Sequence, residues 1–240
     1  LWRALARVNE LSEEVNALVE QEVAAILDAG RIPALIGGDH SSPFGAIRAA
    51  AMLHPGIGVL QIDAHMDLRE AYEGFTWSHA SITRNVVDRI PEVARVVQVG
   101  IRDFCEEEAD RVAAEPDRIR VFYDADVARR RFQGAPWNQV VEEVVALLPS
   151  EVWITFDIDG LDPKLCPHTG TPVPGGLEYV EAVYLIAAVA RSGRRIVGFD
   201  LNEVSPSPNG NEWDANVGAR MLYQLCAWTL VSQGRVRERS

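Results

Sequence analysis

Residues 57–69 constrain what this chain can fold into more than any other stretch. The apolar run Ile57-Gly58-Val59-Leu60 leads into Gln61-Ile62-Asp63-Ala64-His65-Met66-Asp67-Leu68-Arg69. An apolar run that follows a Pro55-Gly56 break and ends in polar residues reads as a buried strand. At its end Asp63, His65 and Asp67 occupy alternate positions, and in an extended chain residues i, i+2 and i+4 point to one face. Open α/β sheets place their sites at the carboxyl ends of their strands. Two carboxylates there need a counter-charge, and a metal ion is the most compact one. The stretch reads as a metal site.

Further short apolar runs read as strands at 33–36, 95–99, 120–123, 152–157 and 195–201. Between them lie segments with helical periodicity: 2–27, from Ser42 to about residue 53, 79–87, 105–114, 138–148, 177–191 and 214–231. This alternation predicts an α/β fold of three layers, α/β/α, with a mainly parallel sheet. No internal repeat, linker or low-complexity segment divides the chain, so residues 1–240 are expected to form one domain. The sequence opens at Leu1 inside a helical pattern, which leads us to expect an N-terminal segment upstream.

Composition narrows the function. A formal charge of −12 argues against nucleic acid and suits a cationic substrate. No run approaches the roughly 18 apolar residues of a membrane span, and no signal peptide is visible. The three cysteines, Cys105, Cys166 and Cys226, form neither a disulfide framework nor a zinc knuckle, so a reducing, cytoplasmic setting is expected.

A second pair of alternating acids, Asp157 and Asp159, closes the run 152–157, and His40 follows Gly37-Gly38 at the end of another. Two such acid sets on separate strands are much stronger than one. Four carboxylates and two imidazoles suit two hard or borderline divalent ions such as manganese. Two such ions roughly 3.5–4 Å apart lower the pKa of a shared water and make a nucleophile at neutral pH.

The strings Gly37-Gly38-Asp39-His40-Ser41, Asp63-Ala64-His65-Met66-Asp67 and Phe156-Asp157-Ile158-Asp159-Gly160-Leu161-Asp162-Pro163 resemble the three signature motifs of the ureohydrolases, the arginase and agmatinase enzymes. Gly170-Thr171-Pro172-Val173-Pro174-Gly175-Gly176 and Asn202-Glu203-Val204-Ser205-Pro206 are similar to further family segments. The resemblance implies an arginase-like fold and two Mn(2+) per chain. His40, Asp63, Asp67 and Asp157 would hold one ion, and His65, Asp63, Asp157 and Asp159 the other. It implies that Asp67 accepts a hydrogen bond from the attacking hydroxide, that Glu203 pairs bidentately with the substrate guanidinium, and that His79 gives a proton to the leaving amine. Ala80 departs from the glycine usual after that histidine, and His168 stands where many relatives have glycine.

The implied reaction splits a guanidino C–N bond to release urea. Agmatine, giving putrescine in polyamine biosynthesis, is the first choice, because the Asn pattern by which arginases hold the amino-acid end of arginine is absent from the loop after Asp67. Glu70 or Glu73 would meet the free amine, with Tyr72, Phe75 or Trp77 packing the methylenes. Arg69 could equally hold the carboxylate of a guanidino acid such as guanidinobutyrate. A zinc deacetylase of related fold and a non-catalytic metal-binding relative are the readings from other classes; the full set of acids argues against the first. A homo-oligomer, trimer or hexamer, is expected by resemblance. His54 and the Asp162-Pro163 turn are expected to be structural.

Overall fold

A computed structural model describes residues 2–238. The apolar runs become β1 (Ala34–Ile36), β2 (Ile57–Ile62), β3 (Val93–Ile101), β4 (Ile119–Tyr123), β5 (Glu151–Asp157) and β6 (Arg195–Asn202). All five pairings among them are parallel, in the order β1-β6-β5-β2-β3-β4. Parallel neighbours need a crossover between them, and the periodic segments supply it. These are α1 (Trp2–Asp28), α2 (Phe44–Leu53), α3 (Ile82–Arg89), α4 (Glu106–Ala114), α5 (Asp124–Phe132), α6 (Trp137–Leu147), α7 (Tyr179–Arg191) and α8 (Trp213–Ser232).

Strand periodicity divides the core in two. From β2, Leu60 and Ile62 face Val141, Leu185, Ile186 and Leu225 of α6, α7 and α8. Its other residues, Ile57 and Val59, face Val23, Phe44, Ile47 and Val86 of α1, α2 and α3. A strand buried on both faces cannot alternate apolar with polar, which is why β2 reads as an apolar run from Ile57 to Leu60, with Gln61 the one buried polar side chain before Ile62. The sheet is thus the middle of three layers, as the alternation of runs predicts. No described helix is long and apolar enough to cross a membrane.

Two elements differ from expectation. The segment expected as one helix from residue 79 begins as a 3-10 turn, His79–Ser81, before α3. Helix α5 is not expected from periodicity at all. It buries only Val127, so it carries no apolar stripe. What supports it is charge: Asp124 and Asp126 in the first turn and Arg129, Arg130 and Arg131 in the last complement the helix dipole.

The connections put one end of the sheet to use. From β2 the chain steps outward through β3 to β4, then returns to β5 and steps the other way to β6. The β2/β5 boundary is therefore the switch point of an open sheet, where a crevice opens beyond the strand ends.

Candidate metal centre

Register places the acids. Ile62 of β2 pairs with Phe156 of β5, so Asp63 and Asp157 leave the sheet side by side at the switch point. On the far side of β6, β1 delivers His40. Gly37 makes this approach feasible: a Cβ there would stand 2.0 Å from Asn202 Oδ1 and 2.4 Å from Ser42 Oγ. Glu203 follows β6, and its N–H donates to Gly38 O at 2.8 Å, tying the two loops together. Four adjacent strands, β1, β6, β5 and β2, thus supply the cluster from one edge of the sheet.

All six expected ligands come together, though not by the expected backbone. The chain does not stay extended from Asp63 to Asp67. Asp67 sits in the left-handed region at φ 55°, and this turn, rather than strand alternation, swings its carboxylate back over the strand end. The result is two overlapping groups. His40 Nδ1 lies 3.0, 3.2 and 3.3 Å from Oδ2 of Asp63, Asp67 and Asp157. His65 Nδ1 lies 3.5 Å from Asp63 Oδ1 and 3.1 Å from Asp159 Oδ2. Asp63 belongs to both groups. Asp159 is anchored by three donors: Ala64 N at 3.1 Å and Thr171 Oγ1 at 3.2 Å on its carboxylate, and Arg102 Nη2 at 2.7 Å on its carbonyl.

The electrostatics show a cluster short of positive charge. Burial alone would lower the His40 imidazole, but Asp157, Asp63 and Asp67 outweigh it and hold its pKa well above the usual range. His65 is likewise driven up to about 11, its burial overcome by Asp159 and Asp63. Burial and the charge of Asp63 push Asp67 up to about 7, and burial with Asp159 and Asp63 raises Asp157 strongly. Protons are drawn to wherever cations are wanted. One atom states this most directly: His40 Nδ1 is buried, has no hydrogen-bond partner, and faces three carboxylate oxygens. An all-oxygen-and-imidazole donor set around such an atom fits hard or borderline divalent ions.

Beside the cluster opens a cavity of about 140 Å³. His65, Asp67, Arg69, Tyr72, His79, Asp103, Phe104 and Glu108 are among the residues that line it. Arg69 has its guanidinium carbon 5.7 Å from the centre of the Tyr72 ring and its Nε 3.9 Å from Glu108 Oε2. Glu108 is buried and already accepts the N–H groups of Leu68 and Cys105, both at 2.9 Å. Glu203 does not line this cavity. Its backbone is left-handed at φ 62°, and its Oε1 accepts the His40 N–H at 2.8 Å, while burial raises its pKa. His40 N–H thus fixes the carboxylate through one lone pair of Oε1, leaving the second lone pair of that oxygen and Oε2 as acceptors.

The expected substrate loop needs correcting in part. Trp77 turns away from the cavity; its ring packs edge-on against Phe44 of α2 at 4.9 Å, with Arg89 of α3 stacked 4.6 Å from its centre. An aromatic ring with an apolar shelf beside it buries there rather than at a polar cleft. Glu70 and Glu73 are exposed and outside the cavity lining. Of the residues expected in this loop, Arg69 and Tyr72 line the cavity. His168 is held by Asp214, which accepts its N–H and pairs with its Nδ1, both at 2.9 Å. His54 pairs with Glu151 at 3.0 Å, a structural contact as expected.

Sequence reasoning missed Asp103, Phe104, Glu108, Arg102 and Thr171. Arg102 carried a signal, a cation directly after the apolar β3, where it donates to the carbonyls of Gly100, Asp159, Leu161 and Val173. Glu108 carried none, because Glu106-Glu107-Glu108 reads as an ordinary acidic helix start.

Comparison with known proteins agrees with this geometry. The sequence profile of the arginase family matches residues 6–227. The N(1)-aminopropylagmatine ureohydrolase of Thermus thermophilus is 34% identical over 219 residues, covering 89% of this chain and 68% of that enzyme. The guanidinobutyrase of Pseudomonas aeruginosa is 32% identical over 213 residues, covering 88% and 65%. Among solved structures, the agmatine ureohydrolase of Thermoplasma volcanium superposes with a TM-score of 0.76 at 29% identity, covering 93% of this chain and 71% of that one. The chain thus spans about two thirds of the length of these relatives. With a profile match over nearly its whole length, the same fold and agmatinase-like relatives, this chain belongs to the arginase family, the ureohydrolase hydrolases.

Proposed function

We propose that the chain hydrolyses the guanidino C–N bond of agmatine, releasing urea and putrescine, at a centre for two manganese ions. The observation that carries this reading is the unpartnered His40 Nδ1 facing three carboxylates, with a second imidazole and a fourth acid sharing Asp63. His40, Asp63, Asp67 and Asp157 would hold one ion, and His65, Asp63, Asp157 and Asp159 the other. When bound, the pair supplies a water nucleophile at neutral pH and Lewis-acid stabilisation of developing negative charge.

The chain's own residues do the rest. Glu203 attracts the guanidinium through Oε2, the oxygen that His40 N–H does not occupy, and so orients the carbon for attack. Asp67, on the cavity wall, accepts a hydrogen bond from the attacking water and orients it toward the reacting carbon. His79 lines the same cavity, 5.8 Å from the Tyr72 ring centre, and delivers a proton to the departing amine. Tyr72 and Phe104, on the cavity wall, cover the methylenes and limit water around them. A cytoplasmic homo-oligomer, trimeric or hexameric, acting in polyamine formation completes the proposal.

A second reading has an observation of its own. Arg69 lines the cavity, whereas the acids expected to meet a free amine do not. That favours a guanidino acid, guanidinobutyrate among them, and the Pseudomonas relative is named for that compound. Urea release from agmatine, arginine, guanidinobutyrate and guanidinopropionate after manganese loading tests both readings. Turnover of agmatine supports the first and turnover of an acid the second. Two bound metals with silence across the panel would sink both.

A further inference from the structure

Beneath the cluster lies a fifth carboxylate, Asp200, that the reaction proposed above does not use. It sits within β6 with no solvent exposure, between apolar Phe199 and Leu201. A charge so buried requires donors, and it has three. Its Oδ2 accepts from Trp153 Nε1 at 2.5 Å, and its Oδ1 accepts from Asn202 Nδ2 at 2.6 Å and from Thr155 Oγ1 at 2.7 Å. Thr155 and Asp200 are register partners on β5 and β6, so the last of these bonds is fixed by the sheet itself.

The Thr155 hydroxyl has a single proton, and Asp200 takes it. The same oxygen lies 2.7 Å from His40 Nε2, so it can only accept there. Nε2 must therefore carry hydrogen, and in a neutral imidazole the lone pair is then on Nδ1. Nδ1 is the atom that faces Asp63, Asp67 and Asp157 without a hydrogen-bond partner. The other histidine has no such support: His65 Nε2 lies 3.7 Å from Asp103, beyond hydrogen-bond length, and that carboxylate is 65% exposed.

We propose that Asp200, acting through the Thr155 hydroxyl, is a positioning residue that holds His40 in its Nε2–H form and aims Nδ1 at the metal position. It rests on the reading of the cluster as a metal centre. The relay runs from carboxylate to hydroxyl to imidazole inside the sheet, where no water competes for any of its bonds. Outer partners of this kind raise the basicity of a ligand histidine and fix its ring.

The test pairs Thr155→Val, which keeps shape and removes the hydroxyl, with Thr155→Ser, which keeps the hydroxyl. Calorimetric titration with Mn2+ is expected to show affinity reduced about 10–100-fold in T155V, the range for outer-sphere losses, and restored in T155S. A structural role alone would lower the unfolding temperature of both variants without separating them in affinity. Equal affinity in T155V and the unaltered protein overturns the proposal. A second measurement needs no variant: in the metal-free protein, nitrogen-edited NMR should show a His40 Nε2–H signal protected from solvent exchange. An unprotected signal overturns the relay, even where T155V fails to fold. Absence of metal uptake by the unaltered protein overturns the metal-centre reading instead, and the Nε2–H signal then decides the relay by itself.

Discussion

Asp63→Asn tests the shared acid, and its cost can be worked from the hydrogen bonds. Asp63 Oδ1 accepts the His65 N–H at 2.6 Å, and Oδ2 accepts Gln61 Nε2 at 2.8 Å. Gln61 cannot turn its amide over to accommodate a change, because its Oε1 already accepts from Thr83 Oγ1 at 2.6 Å and Gln98 Nε2 at 2.7 Å. Asparagine offers one oxygen and one NH2 group. In either orientation a donor therefore opposes a donor in a site with no solvent. That mismatch costs about 1–3 kcal/mol. In a chain of 240 residues, roughly 2–4 °C per kcal/mol gives a fall of about 2–12 °C in the metal-free unfolding temperature.

The metal increment is the larger readout. With free Mn2+ at a hundred times its Kd, each site adds about 2.7 kcal/mol to stability, so two independent sites add about 5 kcal/mol. The unaltered protein should then unfold about 10–20 °C higher with Mn2+ than with a chelator. D63N, lacking the carboxylate common to both groups, should show a small increment and turnover near background. Differential scanning calorimetry with Mn2+ and with EDTA measures this directly. A D63N protein that takes up two ions and shows the full increment would refute the shared-acid reasoning.

Gly37→Ala should lower stability by about 1–3 kcal/mol through overpacking, since its Cβ would meet Asn202 Oδ1 and Ser42 Oγ, two groups already bonded to each other; an unchanged unfolding midpoint refutes the close approach. Arg69→Met should leave agmatine turnover intact and reduce kcat/KM for guanidino acids about 10–100-fold, the worth of a charge-assisted hydrogen bond; a parallel loss on both substrate types removes Arg69 from tail recognition. Asp214→Asn probes pH dependence. Burial would raise the Asp214 carboxyl, but the His168 contacts outweigh it and hold its pKa below the usual value. Its contribution is therefore present above the unfolded carboxyl pKa of about 3.9 and is lost as pH falls through the lower folded value. D214N should flatten the acid limb of unfolding midpoint against pH below about 4, and identical limbs refute the pairing.

The layers and the acid–imidazole cluster were legible for one reason: both are written in the apolar runs and at their ends. Acids at the ends of such runs stand out, as Asp63, Asp157 and Asp159 do against Val59, Leu60, Ile154 and Phe156. Direction was not legible. Trp77 is near the cluster in sequence, yet nothing local decides whether its ring meets the cleft or the Phe44 shelf. Glu108 illustrates the opposite case, an acid that helix-start statistics explain completely and that the fold nonetheless buries against Leu68 and Cys105. Asp200 and Thr155 carried the overlooked signal. A charge flanked by Phe199 and Leu201 inside a strand has no cheap structural explanation, because it requires donors at the same depth.

Two of the three described non-glycine residues with left-handed backbones, Asp67 and Glu203, belong to the candidate site; Glu73 is the third, in an exposed loop. Glu203 directly follows β6 and Asp67 lies in the loop after β2, and at both places a glycine would adopt the same angles without the roughly 1–2 kcal/mol that a side chain costs there. The sequence keeps a carboxylate at both places. The strain is held in place by bonds to neighbouring elements: Arg84 N, in the first turn of α3, donates to Asp67 O at 3.0 Å, and Glu203 N donates to Gly38 O, past the end of β1, at 2.8 Å. A turn that glycine would make more stable, occupied by an acid instead, is accounted for by what the acid reaches. Asp67→Gly should therefore leave the metal-free protein as stable as before or more so while abolishing urea release; in Glu203→Gly the relieved strain is offset by the acceptor that the buried His40 N–H loses. Loss of stability in Asp67→Gly, by chemical denaturation, would show that this carboxylate serves the fold and not the site.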